Sequence, residues 1–248
     1  MRTTLLGAAA GLSILLGACN ETDSGGRFFI VQNQVPEGKC VINTTRTLYR
    51  GEGSLDVDLV GATAGFAYEL FPLIQNDYPS LGAAGQPEPN RLFVRAFRVR
   101  VEPGAGAPAR VVELMDRLAG SDATRALVEY QEPWAATIEP GGGLLAAGVG
   151  VIPGELARQI RSLRVLDGGQ TIPINARVRA VGQRRDGEVE SEEFVYPIKL
   201  CQGCLISSLN VCPFAPVNAG NPCNVAQDAP VDCCQDGTDC TARPSRRR

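Results

Sequence analysis

From Ile172 to Leu200 the chain carries two alternating runs separated by Arg185-Asp186-Gly187, and this pattern does most to limit the fold. Ile172, Ile174, Ala176 and Val178 alternate with Pro173, Asn175, Arg177 and Arg179. Beyond the turn, Phe194, Tyr196, Ile198 and Leu200 alternate with Val195, Pro197 and Lys199. Successive side chains of a strand point to opposite faces, so each run is a half-buried strand and the pair an antiparallel hairpin. A three-residue loop ending in Gly187, which accepts positive φ, sets Arg184 opposite Glu188 and Arg179 opposite Glu193. It also sets Val178 opposite Phe194, Ile174 opposite Ile198 and Ile172 opposite Leu200. Sliding by one residue would place apolar side chains against charges. Pro197 has no N–H for a ladder, which predicts an edge strand.

The rest of residues 27–200 reads mostly as strands and turns. Residues 27–32 open the region, and 40–48 follow with three threonines. Leu55, Val57 and Leu59 alternate with Asp56 and Asp58; Phe66, Tyr68 and Leu70 alternate up to Pro72. In 92–101 the apolar set changes parity between Ala96 and Phe97, which a β-bulge near Ala96 reconciles. Residues 82–90, with Pro87 and Pro89, read as a surface loop, and Gly141-Gly142-Gly143 as a mobile one. No GK(S/T) follows those glycines, so a phosphate-binding loop is not expected. Two stretches predict helices: 111–119, stopped by Gly120, and 153–163, with Pro153 in the first turn and Leu156, Ile160 and Leu163 on one face. The second is expected to cover an open end of a sheet. The expected fold is mainly β: an antiparallel two-sheet, immunoglobulin-like sandwich over 27–200, one or two short helices, and a disulfide-rich C-terminal segment over 201–240.

Nine cysteines bear on that segment: Cys19, Cys40, Cys201, Cys204, Cys212, Cys223, Cys233, Cys234 and Cys240. An odd count leaves one thiol over. Leu15-Leu16-Gly17-Ala18-Cys19 accounts for it, because it reads as a lipobox ending a signal segment over 1–18, with Arg2 ahead of an apolar run of about 14 residues, short of the roughly 20 that span a bilayer. An uncleaved anchor or ordinary cleavage after Ala18 are the alternatives, but Leu16 is large for the third position before an ordinary cut. Lipidation of Cys19 leaves eight cysteines. Seven lie between Cys201 and Cys240, so full pairing obliges Cys40 to bond one of them. Export favours disulfides. Cys201-Gln202-Gly203-Cys204 has CxxC spacing, yet no second CxxC accompanies it as a zinc ribbon requires, and no βαβ setting supports a thioredoxin-type site. Asp228, Asp232, Asp236 and Asp239 do not have the spacing of an EF-hand and read as solvated loop carboxylates.

Residues 19–26 form a flexible tether with an r.m.s. reach of about 15 Å, so the domain is expected to work close to its membrane. Residues 241–248 are a basic tail ending in Arg246-Arg247-Arg248. The chain has no histidine, which removes Ser-His-Asp and Cys-His nucleophiles and the commonest zinc sites. Its net charge of −3 gives no reason to expect nucleic acid.

Phe194-Val195-Tyr196-Pro197-Ile198, Cys201-Gln202-Gly203-Cys204-Leu205 and Pro222-Cys223-Asn224-Val225-Ala226-Gln227-Asp228, with Cys233-Cys234 and the lipobox, resemble cysteine-rich lipoproteins of myxobacterial type. Phe71 to Asn76 and Glu88-Pro89-Asn90-Arg91 echo them more loosely. The resemblance implies place and architecture; that family supplies no activity to carry over. In well-studied bacterial lipoproteins an aspartate after the acylated cysteine favours inner-membrane retention, so Asn20 leans towards the outer membrane. The expectation is a lipid-anchored, non-catalytic envelope protein without cofactor or metal, whose partners are the membrane and an envelope protein or glycan. A carboxylate-dependent envelope hydrolase, or a metal or redox module on the C-terminal cysteines, are the alternatives.

Overall fold

The computed structural model describes residues 27–45, 48–61, 65–83, 86–167, 169–209 and 218–234. The first half comprises β1 (Phe28–Asn33), β2 (Gly53–Asp56), β3 (Phe66–Leu70), β4 (Pro72–Asn76), β5 (Leu92–Pro103), α1 (Ala109–Ala119) and α2 (Asp122–Arg125). Then come β6 (Glu129–Ile138), β7 (Gly143–Ala146), β8 (Val149–Pro153) and α3 (Gly154–Ser162). The C-terminal part adds β9 (Ile172–Arg184), β10 (Gly187–Glu190), β11 (Phe194–Cys201), β12 (Ile206–Leu209) and β13 (Val231–Cys234).

The larger sheet runs β2-β11-β9-β5-β6, with β10 continuing the hairpin beside β9. A smaller sheet runs β1-β4-β7, and β3-β8 and β12-β13 are separate pairs. Phe28 and Ile74 from the smaller sheet share one core with Val94, Phe97, Val178 and Tyr196 from the larger, which makes a sandwich. Pairing is antiparallel except for β11 with β2 and β12 with β13, which are parallel.

The long strand needs its bulge. Leu92, Val94 and Ala96 are buried, and so are Phe97, Val99 and Val101 of the opposite parity. Pairing of β5 with both β6 and β9 shifts register between Val94 and Ala96, which turns both sets inward. In the hairpin, Val178 pairs with Phe194, Ile174 with Ile198 and Ile172 with Leu200. The turn differs from expectation: Arg184 pairs with Gly187, not Glu188, so the loop is one residue shorter. Between Glu190–Val181 and Phe194–Val178 the register therefore slips by one, and Ser191 bridges the slip. Its N–H donates to the Ala180 carbonyl (2.9 Å), and its Oγ accepts the Ala180 N–H (2.8 Å).

Other expectations give way to local chemistry. β11 is an interior strand, not an edge; the short β2 pairs only from Ile198 onward, so Pro197 lies just before that ladder. The described residues of 40–48 form no strand. Lys39 and Cys40 turn through φ of 65° and 58°, and the Asn43 carboxamide oxygen accepts the Thr45 N–H and hydroxyl. That local bonding outcompetes the β preference of threonine. The alternating Phe66–Leu70 strand does end before Pro72, which is the first residue of β4, where a missing N–H is tolerated. The Gly141-Gly142-Gly143 run is a tight turn into β7, with the Gly141 and Gly142 N–H groups donating to the Tyr78 and Asn76 carbonyls, both at 2.8 Å.

α1 buries Val111, Leu114, Met115 and Leu118 against β5, and α3, entered through Pro153, packs Leu156 and Ile160 against β3 and β8. Among the described residues no helix is long and apolar enough to cross a membrane.

Candidate functional site

The C-terminal segment is stitched into the sandwich by polar side chains. The Asp56 N–H of β2 donates to the Ala226 carbonyl at 2.9 Å. Gln227 is fully buried and acts on β3 as a strand would: its Oε1 accepts the Glu69 N–H (2.8 Å) and its Nε2 donates to the Glu69 carbonyl (2.9 Å). Asn224 Nδ2 donates to the Ala67 carbonyl at 3.0 Å. Next in sequence, Asp228 takes φ of 64°, a left-handed conformation that costs an L-residue energy and is held by its surroundings.

Asp228 was expected to be solvated; its side chain is 7% exposed. It accepts the Tyr68 hydroxyl at 2.7 Å and the Ser54 N–H at 2.9 Å, with Arg50 at 3.8 Å. Burial raises its pKa, and the Ser54 and Tyr68 hydrogen bonds and Arg50 oppose the shift. Burial first, then the Asp228 charge, raises Tyr68 well above the usual phenol range, while Tyr196, 3.4 Å from the Tyr68 hydroxyl, is pushed up to about 12, mainly by burial. The seam is a structural joint, and nothing in the periodicity of 218–234 announces it.

Glu69 points the other way from Tyr68, into a cleft of about 310 Å³ between β3 and the C-terminal segment. Leu59, Val60, Phe66, Asn224 and Val225 help to line it. Burial raises the Glu69 pKa. Glu132 of β6 lies close enough for the Glu69 charge to raise it further, after burial and against a hydrogen bond from the Gly150 N–H. Tyr130 donates to the Gly150 carbonyl at 2.8 Å and stands 5.8 Å, centroid to centroid, from the Phe66 ring. Gly150 fits beneath Phe66 because a Cβ there would overlap the ring. Glu69, its pKa raised by burial, lines this cleft beside the Phe66 ring and can hydrogen-bond a hydroxylated ligand. The alternation of Phe66, Tyr68 and Leu70 correctly turns Glu69 away from the core. It carries no sign that residues 222–226 wall the space outside.

The cysteines divide between described and undescribed residues. Cys40 is bonded to Cys223, the partner that parity left open, and Cys201 to Cys204. Cys233 is also disulfide-bonded. Cys19, Cys212, Cys240 and the side chain of Cys234 lie outside the described residues, as do the signal segment, the tether, Asp236, Asp239 and the basic tail. Asp232 accepts the Asn218 N–H at 2.8 Å and so organises its loop.

Asp56, expected on a solvent face, is buried beneath the CxxC loop. It accepts N–H groups from Gly203 (2.8 Å), Leu205 (2.9 Å) and Asp58 (3.1 Å). Its carboxylate and the Cys201 and Cys204 sulfurs lie within 4.8 Å of one another. With the sulfurs bonded together and the carboxylate holding the loop, these atoms are engaged as a structural closure.

No protein-family model matches the chain, and no curated protein matches it. Among solved structures it is similar to a protein from Archaeoglobus fulgidus, at 10% identity and a TM-score of 0.35, over 58% of this chain and 90% of that one.

Proposed function

We propose that this chain is a lipid-anchored cell-envelope protein whose β-sandwich is a non-catalytic binding or structural module. The lipobox ending at Cys19 supports the anchor, and Asn20 favours the outer membrane over the inner. The membrane is then one partner, and an envelope protein or glycan the other. The observation that carries a binding role is the cleft beside Glu69, a concave space of mixed polar and apolar lining with a single carboxyl among its lining residues. The test is metabolic labelling with an alkyne-bearing palmitate analogue, followed by membrane fractionation. The wild-type chain is expected to label and sediment with outer membranes. Cys19→Ser is expected to lose both label and membrane association, and retention of both would overturn the anchor.

One observation favours a second reading, a carboxylate-dependent hydrolase: Glu69 and Glu132 interact, and both are raised by burial. Glycoside hydrolysis uses two carboxyl groups, one held protonated as the acid. Turnover of oligosaccharides that disappears in both Glu69→Gln and Glu132→Gln would establish it. Turnover unchanged in both, or absent from the wild type, would dismiss it.

A further inference from the structure

Three places hold chemistry that the anchor does not use: the Tyr68–Asp228–Tyr196 seam, the Asp56–Cys201–Cys204 closure and the Glu69 cleft. In the first two the side chains are bonded to one another or to backbone groups, which suits a joint. The Glu69 side chain differs. Its backbone is tied down by Gln227 on both sides, which fixes where the side chain emerges, and the carboxyl reaches into an open space.

We propose that the cleft between β3 and the C-terminal segment binds a neutral saccharide of one or two rings, with Phe66 as the stacking face and the Glu69 carboxyl as the polar contact. The proposal rests on the binding role above and names the ligand class. Volume sets the size: about 310 Å³ is at the small end of ligand sites, which suits a short oligosaccharide end and excludes a protein domain. Lining sets the character. Leu59, Val60, Phe66 and Val225 are apolar and suit the C–H faces of a sugar ring, and Asn224 spends its amide on the Ala67 carbonyl. That leaves Glu69 as the group to orient hydroxyls. The Glu69 carboxyl accepts hydrogen bonds from ligand hydroxyls, which a hydroxylated neutral ligand supplies. Phe66 is itself positioned, resting over Gly150 and against Tyr130. A ring held in place loses little freedom on binding.

The experiment titrates the mature acylated protein in detergent with maltose, chitobiose and cellobiose, by calorimetry and by ligand-observed NMR, with calcium chloride as a cation control. Saturable binding of at least one disaccharide is expected. It should weaken ten-fold or more in Phe66→Ala and Glu69→Ala and stay within about three-fold in Glu69→Gln, which keeps an acceptor oxygen of the same reach. Circular dichroism of each variant shows whether the fold is kept; if Phe66→Ala unfolds, Phe66→Leu replaces it. Absence of disaccharide binding, binding indifferent to Phe66 and Glu69, or saturation by calcium in place of sugar would each overturn the proposal. Co-sedimentation with insoluble cell-wall glycan separates the two levels. Co-sedimentation that survives Glu69→Ala would overturn the cleft as the site and keep the binding role. Absence of both co-sedimentation and disaccharide binding would overturn both.

Discussion

Asp228 is a carboxylate that the fold keeps where water would otherwise hold it. It satisfies the Tyr68 hydroxyl and the Ser54 N–H, so Asp228→Ala removes the acceptor of one buried and one half-buried donor. The expected loss is about 2–3 kcal/mol in equilibrium urea denaturation. Its pH dependence has a definite sign. A pKa raised in the folded state means that the folded chain binds the proton more tightly, so the stabilisation is present in acid and fades as pH rises through the folded pKa. Glu69 and Glu132 shift in the same direction. The stability of the wild type is therefore expected to fall relative to Asp228→Asn between acid and neutral pH, measured as the difference in urea midpoints. Glu88 behaves oppositely. Hydrogen bonds from the Asn90 and Gly82 N–H groups, the Ser80 hydroxyl and the Leu81 N–H lower it to about 2. Its contribution is present above the unfolded value and is lost as pH falls towards 2. Protease nicking of the 82–90 loop should accelerate in Glu88→Gln at neutral pH and match the wild type near pH 2.

At the scale of elements, the β9–β11 hairpin shows which part of a strand pair its sequence encodes. Opposed apolar pairs such as Val178 with Phe194 are legible because a slip would invert every face. The turn is less legible, since a two- or three-residue loop differs by one residue that a later irregularity absorbs. Ser191 absorbs it, and Ser191→Ala is expected to cost about 1–3 kcal/mol by stranding the Ala180 N–H, with faster hydrogen exchange at that amide. The same reasoning separates success from failure elsewhere. The parity change at Ala96 could mean only a bulge, because charged Arg95, Arg98 and Arg100 had to face out. Pro197 misled because a missing donor excludes a partner only where one is in reach, and β2 begins a residue later. The Glu69 cleft was invisible for a further reason: its two walls, at Leu59–Val60 and Asn224–Val225, are distant in sequence and share no periodicity.

Across the whole molecule, two disulfides of very different span act on the unfolded chain differently. Cys40–Cys223 closes a separation of 183 residues, and Cys201–Cys204 a separation of 3. In the chain-entropy model these contribute about 5 and about 2 kcal/mol. Cys40→Ser with Cys223→Ser should thus lower the calorimetric midpoint well below that of Cys201→Ser with Cys204→Ser. Fold class and the long-range closure followed from patterning and parity; the partner at Cys223 depended on how residues 218–234 dock, which no local rule specifies. That docking also sets a timetable. β2 has β11 on one side and Ala226–Asp228 on the other, so a strand made early waits for partners made last. A chain emerging N-terminus first would pass most of its synthesis with its sandwich incomplete, acquiring cooperative stability in one late step. Truncation before Ala226 is then expected to yield a protease-sensitive species rather than a smaller folded domain, and the C-terminal segment is the part that closes the fold.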